Sequence, residues 1–214
     1  MNLLETRGLS KHFGGVHAVA GLDLTLAEGE VVGLIGPNGA GKTTAFNLLS
    51  GFLAPDAGEI RFRGRSLLGL KPHTICRLGL ARTFQIVRPF PRLSVLDNVM
   101  VGALGRHPAA ARARELARAL ATEPALLLLD EVMAGLNQTE IATLVALIGD
   151  IHRGGVAILL IEHNMRAVMA LSHRIVVLNF GEQVAEGPPD AIANHPRVIE
   201  AYLGEEYVHT APSR

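Results

Sequence analysis

Val31-Val32-Gly33-Leu34-Ile35 runs straight into Gly36-Pro37-Asn38-Gly39-Ala40-Gly41-Lys42-Thr43, and a segment of helical length and period, Lys42 to Ser50, follows. An unbroken apolar run of five, without polar alternation, is what a strand covered on both faces requires. The eight residues after it fit G-x-x-x-x-G-K-[ST], a loop whose backbone N–H groups curl round phosphates. Its glycines admit backbone angles and close approaches that a Cβ would block. The Lys42 ammonium then supplies a point charge to the outer phosphates, the Thr43 hydroxyl a ligand for Mg²⁺, and the following helix its positive N-terminal end. The chain has only three lysines, at positions 11, 42 and 71, so a motif that demands one rarely arises by accident.

Working outward, further continuous apolar runs occur at 125–130, 156–162 and 173–179, each bounded by Gly, Pro or charged residues. Helical segments are predicted at Leu93 to Leu104, Ala109 to Thr122, Thr139 to His152 and Met165 to Leu171. Strands alternating with helices predict an α/β fold whose core sheet is mainly parallel with helices on both faces. Residues 16–26 alternate apolar and polar, and Glu59 to Phe62 forms a second such stretch, which together predict an antiparallel β layer near the N-terminus. Residues 72–122 interrupt the alternation and read as a shortened helical insertion. One domain over residues 1–208, with a flexible tail at 209–214, is the expected organisation.

Composition narrows the field. The 214 residues are 49% hydrophobic and 19% charged, an ordinary globular balance. Lys+Arg 20 against Asp+Glu 20 leaves no net field toward nucleic acid or anionic lipid, so no nucleic-acid partner is expected. The single cysteine, Cys76, excludes an internal disulfide, and no Cys/His spacing suggests zinc. Glu5 interrupts what would be a signal-peptide core and no run of about 18 apolar residues exists, so a cytoplasmic location is predicted.

Other candidates lie where the apolar runs end. Asp130, at the end of the 125–130 run, is expected on a strand beside the one bearing the phosphate loop, placed to hold Mg²⁺. Glu131 is positioned to polarise a water. His163, after the 156–162 run, is expected in the same crevice as a γ-phosphate contact. Gln85 follows a short strand read at Arg82-Thr83-Phe84, and its amide suits Mg²⁺ or the attacking water.

These elements in this order, with Ser10-Lys11-His12-Phe13-Gly14-Gly15 upstream, resemble the ATP-binding subunits of ABC transporters. The details are most similar to the branched-chain amino acid importers: Arg82 to Gln85, Leu93 to Val99, Ala134-Gly135-Leu136-Asn137, Leu160 to Met165, and Arg197 to Gly204. The resemblance spans nearly the whole chain. It implies ATP and Mg²⁺ as ligands, with Phe13 stacking on adenine and Gly36, Pro37, Asn38, Gly39, Ala40, Gly41, Lys42, Thr43 and Thr44 binding phosphates. It makes Thr43, Gln85 and Asp130 the metal residues, and Glu131, His163 and Gln85 the catalytic ones. It further implies membrane permease subunits and a second ATP-binding subunit as partners, docking through Gln85 and Arg88 to Leu93, at the inner face of the plasma membrane.

The departures are as informative. The family's L-S-G-G-Q signature is absent, and only 44 residues separate Gln85 from Asp130. Glu115 to Pro124 resembles the part just after the signature and Val101 to Pro108 the part well before it, as an internal deletion around 109–115 would leave them. Val132 and Gln138 stand where the family usually has proline. In the family, ATP is sandwiched between the loop of one subunit and the signature helix of the other. Two copies of this chain alone are therefore expected to lack productive hydrolytic sites. An importer ATPase subunit is the leading expectation and a hydrolysis-deficient nucleotide-binding module the alternative. A P-loop kinase or GTPase is disfavoured by the lack of an N-K-x-D motif.

Overall fold

The computed structural model describes residues 2–83 and 122–202. Gln85, the helix predicted at Leu93 to Leu104, all but the last residue of the helix predicted at Ala109 to Thr122, and the 209–214 tail lie outside the described residues.

Two sheets form the frame. The core sheet has six strands in the order β10-β9-β3-β8-β7-β6. These are β3 (Val31–Ile35), β6 (Leu80–Arg82), β7 (Leu126–Asp130), β8 (Ala157–Ile161), β9 (Arg174–Asn179) and β10 (Glu182–Gly187). All pair in parallel except β10, which runs antiparallel to β9. The second sheet is wholly antiparallel, in the order β2-β1-β4-β5, from β1 (Asn2–Phe13), β2 (Val16–Ala27), β4 (Ala57–Phe62) and β5 (Arg65–Ser66).

The apolar runs are continuous because successive side chains enter two different cores. Val32, Leu34, Leu126, Leu128, Leu159 and Val176 face the antiparallel layer and Phe46 of α1 (Lys42–Leu49). Val31, Leu127, Leu129, Ile158, Leu160 and Val177 pack with Ile148 of α3 (Gln138–Arg153) and Val168 of α4 (Met165–Leu171). Helix α3 starts where Asn137 caps it: its side chain accepts from Glu140 N, and Glu140 answers on the Asn137 backbone. Short helices α2 (Pro72–Arg77) and α5 (Pro189–Ala193) complete the described elements.

Three expectations need correction. Asp130 does not end a strand beside the loop-bearing β3, because β8 lies between β7 and β3. Chain order shows which strands follow one another; the crossover through α3, which inserts β8 between them, is a tertiary choice. The short strand is Leu80–Arg82, two residues before the expected one, and it belongs to the core sheet, so the segment from 72 is not helical throughout. The stretch Asn2–Phe13, not read as a strand, is central to the antiparallel sheet; its pairing with β2 is irregular at several points, which erases the period-2 pattern.

Candidate nucleotide site

At the C-terminal end of β3 the chain turns sharply. Gly36 has φ 149°, and a Cβ there would sit 2.1 Å from the carbonyl oxygen of Leu178; Gly41 has φ 101°, and its Cβ would meet the Ala18 carbonyl oxygen at the same distance. The loop is therefore pressed against the end of β9 and against β2, with no room for side chains at those two points. The turn joining β9 to β10 fastens it: Gly181 N donates to Ala40 O (3.1 Å), and Ala20 N donates to Gly181 O (2.8 Å). The Lys42 ammonium is buried and donates to the carbonyls of Gly36 (2.6 Å) and Pro37 (2.8 Å), so it is held against the loop itself. Thr43, exposed in the first turn of α1, and Thr44, half-buried beside it, follow the cradle.

The carboxylates emerge on the same edge of the sheet. Leu129 pairs with Leu160 and Asp130 with Ile161, while Gly33 pairs with Leu160 on the other side of β8. Parallel strands in this register bring Asp130, Glu131 and His163 out beside the loop, where open α/β sheets hold ligands. Asp130 is buried: its Oδ2 accepts from Arg82 Nη2 at 2.8 Å, and its N–H donates to Thr83 Oγ1 at 3.2 Å. Glu131 adopts φ 48°, donates its N–H to Ile161 O (2.9 Å) and lies 3.0 Å through Oε1 from His163 Nε2. A non-glycine residue in this region costs about 1–3 kcal/mol and clusters where geometry serves function. Phe13, at the end of β1, is 50% exposed, with the Lys11 ammonium 5.6 Å from its ring centroid. It is not a core aromatic.

Three contributors escape a reading of the sequence. Arg82 partners Asp130, and a charge inside a short apolar strand was its one visible signal. Gly181 braces the loop from a distant hairpin and had no signal. Glu162 is buried, accepts from Met133 N at 2.8 Å and so pins the turn that follows Glu131. Burial raises its carboxyl pKa above the usual value, outweighing the backbone donors of Met133 and His163. A raised folded-state pKa means that the protonated form favours folding, and this contribution fades as pH rises through the folded pKa. Glu162→Gln, which keeps the acceptor without the charge, is expected to raise Tm relative to the parent chain increasingly with pH. Thermal melts between pH 4 and 8 in which that difference stays flat or shrinks would contradict the assignment.

The donor set suits Mg²⁺, which takes one or two protein ligands and completes its octahedron with phosphate oxygens and waters. Asp130 and Thr43 are residues of that kind, and Gly39, with nothing within 4 Å of where its Cβ would lie, leaves the loop open at that point.

Fold and loop together define a P-loop nucleotide-binding cassette. Comparison with known proteins narrows the class: the ABC transporter family matches residues 19–115, and the branched-chain amino acid ATP-binding cassette transporter family matches residues 182–208. The chain is 39% identical over 250 residues, 95% of this chain and 98% of the relative, to the high-affinity branched-chain amino acid transport ATP-binding protein BraF of Pseudomonas aeruginosa. It is 40% identical, at the same coverage, to the protein LivG of Salmonella typhimurium. Among solved structures, a nucleotide-free ATP-binding cassette from an ABC transporter superposes with TM-score 0.87 at 25% identity, covering 94% of this chain and 99% of its own. A more distant cassette, 20% identical with TM-score 0.78 over 87% of this chain and 98% of its own, was solved as a dimer bound to ADP and Pi. The chain belongs to the ATP-binding proteins of ABC transporters, in their branched-chain amino acid branch.

Proposed function

We propose that this chain binds MgATP at the Gly36–Thr44 loop and acts as an ATP-binding subunit of an importer for branched-chain amino acids or close analogues. It would work with membrane permeases at the inner face of the plasma membrane, opposite a second ATP-binding chain. The observation that carries the reading is the juxtaposition on one sheet edge of the glycine cradle with Lys42, the buried Asp130, and the Glu131–His163 pair. Lys42 and the loop amides bind the phosphates, and Thr43 and Asp130 hold the metal, which neutralises phosphate charge when bound. Glu131 orients the water, with His163 fixing its carboxylate. Phe13 offers a flat apolar face to the base. Among the described residues no helix is long and apolar enough to cross a membrane, in keeping with a subunit that docks on permeases. Relatives named as branched-chain amino acid transport proteins favour this role over a stand-alone nucleotide-binding module.

The chain is shorter than those relatives. Ninety-five per cent of 214 residues is about 203, so an alignment of 250 leaves roughly 47 positions of the relative without a counterpart here. The ABC transporter match stops at residue 115, before Asp130, and no L-S-G-G-Q run precedes Asp130. Both support a loss within 85–130 that took the signature. The N–H groups and helix dipole that a signature helix turns on the γ-phosphate must then come from a partner chain.

Equilibrium binding of labelled ATP and steady-state turnover test this together. The purified chain is expected to retain MgATP yet to turn over at background rate alone, and to contribute a working site when mixed with a signature-bearing partner. Robust turnover by the chain alone, abolished by Lys42→Ala, would overturn the hydrolysis reading. Failure to retain nucleotide at millimolar concentration would overturn the binding reading.

A further inference from the structure

Arg82 is paired to the buried Asp130, and it does more than neutralise it. Its Nη2 donates to Asp130 Oδ2 at 2.8 Å, while Nη1 donates to Asn47 Oδ1 (2.8 Å) and Ser50 Oγ (3.0 Å), both at the C-terminal end of α1. The pair is almost fully withdrawn from water, with side-chain exposures of 6% and 5%. The guanidinium carbon lies 5.6 Å from the Phe46 ring centroid and 6.0 Å from that of Phe52, so aromatic faces flank the cation. Next to it, Thr83 Oγ1 accepts from the Asp130 backbone N–H. The last two described residues of this edge segment thus grip both the main chain and the side chain of Asp130.

From this geometry we infer that Arg82 is a positioning residue for the metal. It holds Oδ2 of Asp130 and so fixes the carboxylate that would ligate the cation, and it ties that orientation to α1, the helix that begins with Lys42 and Thr43. The inference rests on the MgATP reading above. A planar fork reaching two elements at once is what arginine provides and a point-charge lysine does not. A lone counter-charge for a buried carboxylate needs no second anchorage; the bonds to Asn47 and Ser50 lock the guanidinium and, through it, the carboxylate. Partners that orient a ligating side chain typically change metal affinity 10- to 100-fold when removed.

The test is equilibrium binding of labelled ATP to the full chain as Mg²⁺ is titrated, with a parallel measurement in EDTA. Arg82→Met is expected to raise the Mg²⁺ concentration for half-maximal nucleotide binding about tenfold while leaving the EDTA affinity within about twofold. Arg82→Lys is expected to fall between the two. Asn47→Ala, which cuts one of the two bonds to the end of α1 and leaves both charges in place, is expected to give a smaller shift in the same direction and keeps the test informative should Arg82→Met fail to fold. An unchanged or lowered Mg²⁺ requirement in Asn47→Ala and in any folded Arg82 variant would overturn the inference, leaving a merely structural ion pair. Asp130→Asn separates the two levels. If it leaves the Mg²⁺ requirement unmoved, the metal role of Asp130 falls; if it raises the requirement while the Arg82 and Asn47 variants do not, only the positioning role falls.

Discussion

Lys42→Ala is expected to weaken MgATP binding about 10- to 100-fold, measured by equilibrium titration with labelled nucleotide. The estimate follows from the loss of charge-assisted hydrogen bonds to phosphate, each worth roughly 1.5–3 kcal/mol. In the structure Lys42 also bonds the carbonyls of Gly36 and Pro37, so its removal leaves two acceptors of the loop without that donor. A modest loss of stability, on the order of 1 kcal/mol, accompanies the binding defect for that reason. Nucleotide affinity unchanged in a folded Lys42→Ala variant would show that the phosphates lie elsewhere. A Tm collapse without nucleotide would instead assign Lys42 to the architecture of the loop.

Gly36→Ala is expected to be the more damaging change for the fold. The added Cβ would stand 2.1 Å from the Leu178 carbonyl oxygen, a backbone atom that cannot swing aside as a side-chain tip does, at a φ of 149° that L-residues rarely adopt. Conformational strain and overpacking each cost about 1–3 kcal/mol, so a loss of roughly 2–6 kcal/mol follows. At about 2–4 °C per kcal/mol for a chain of this size, Tm falls by on the order of 10 °C. The affected contact joins the loop to β9, so nucleotide retention is lost together with stability. A melt within 2 °C of the parent chain would mean that the β9 end yields easily, and that the cradle is less rigid than its packing implies.

A difference in kind separates these two substitutions from those at Arg82 and Glu162. Lys42 and Gly36 belong to a contiguous motif that marks both positions within eight residues, although the carbonyl that crowds Gly36 comes from distant Leu178. Arg82 meets Asp130 across 48 residues of chain and Asn47 across 35. Glu162 reaches Met133 across 29, and its raised pKa exists only because the fold excludes water around it. No local pattern announces such partners, because nothing in the spacing of two distant residues records that their strands become neighbours.

What the amino-acid order determined by itself is the set of local units. The strand–glycine loop–helix at 31–50 was legible because its chemistry is sequential: an apolar run that must be covered on both faces, a curl that needs glycine, a helix that starts with lysine and threonine. The strands ending at Asp130 and before His163 were legible for the same reason, since runs such as Leu126 to Leu129 have no stable place except between two packed faces. The tertiary structure alone decided how these units are ordered in space. It set β8 between β7 and β3, gave Asp130 the cation of Arg82, and fastened the phosphate loop with a glycine from the β9–β10 hairpin. The physical reason is that hydrophobic periodicity specifies which face of each element is buried, whereas which buried faces meet depends on shape and hydrogen-bond complementarity between segments far apart in the chain.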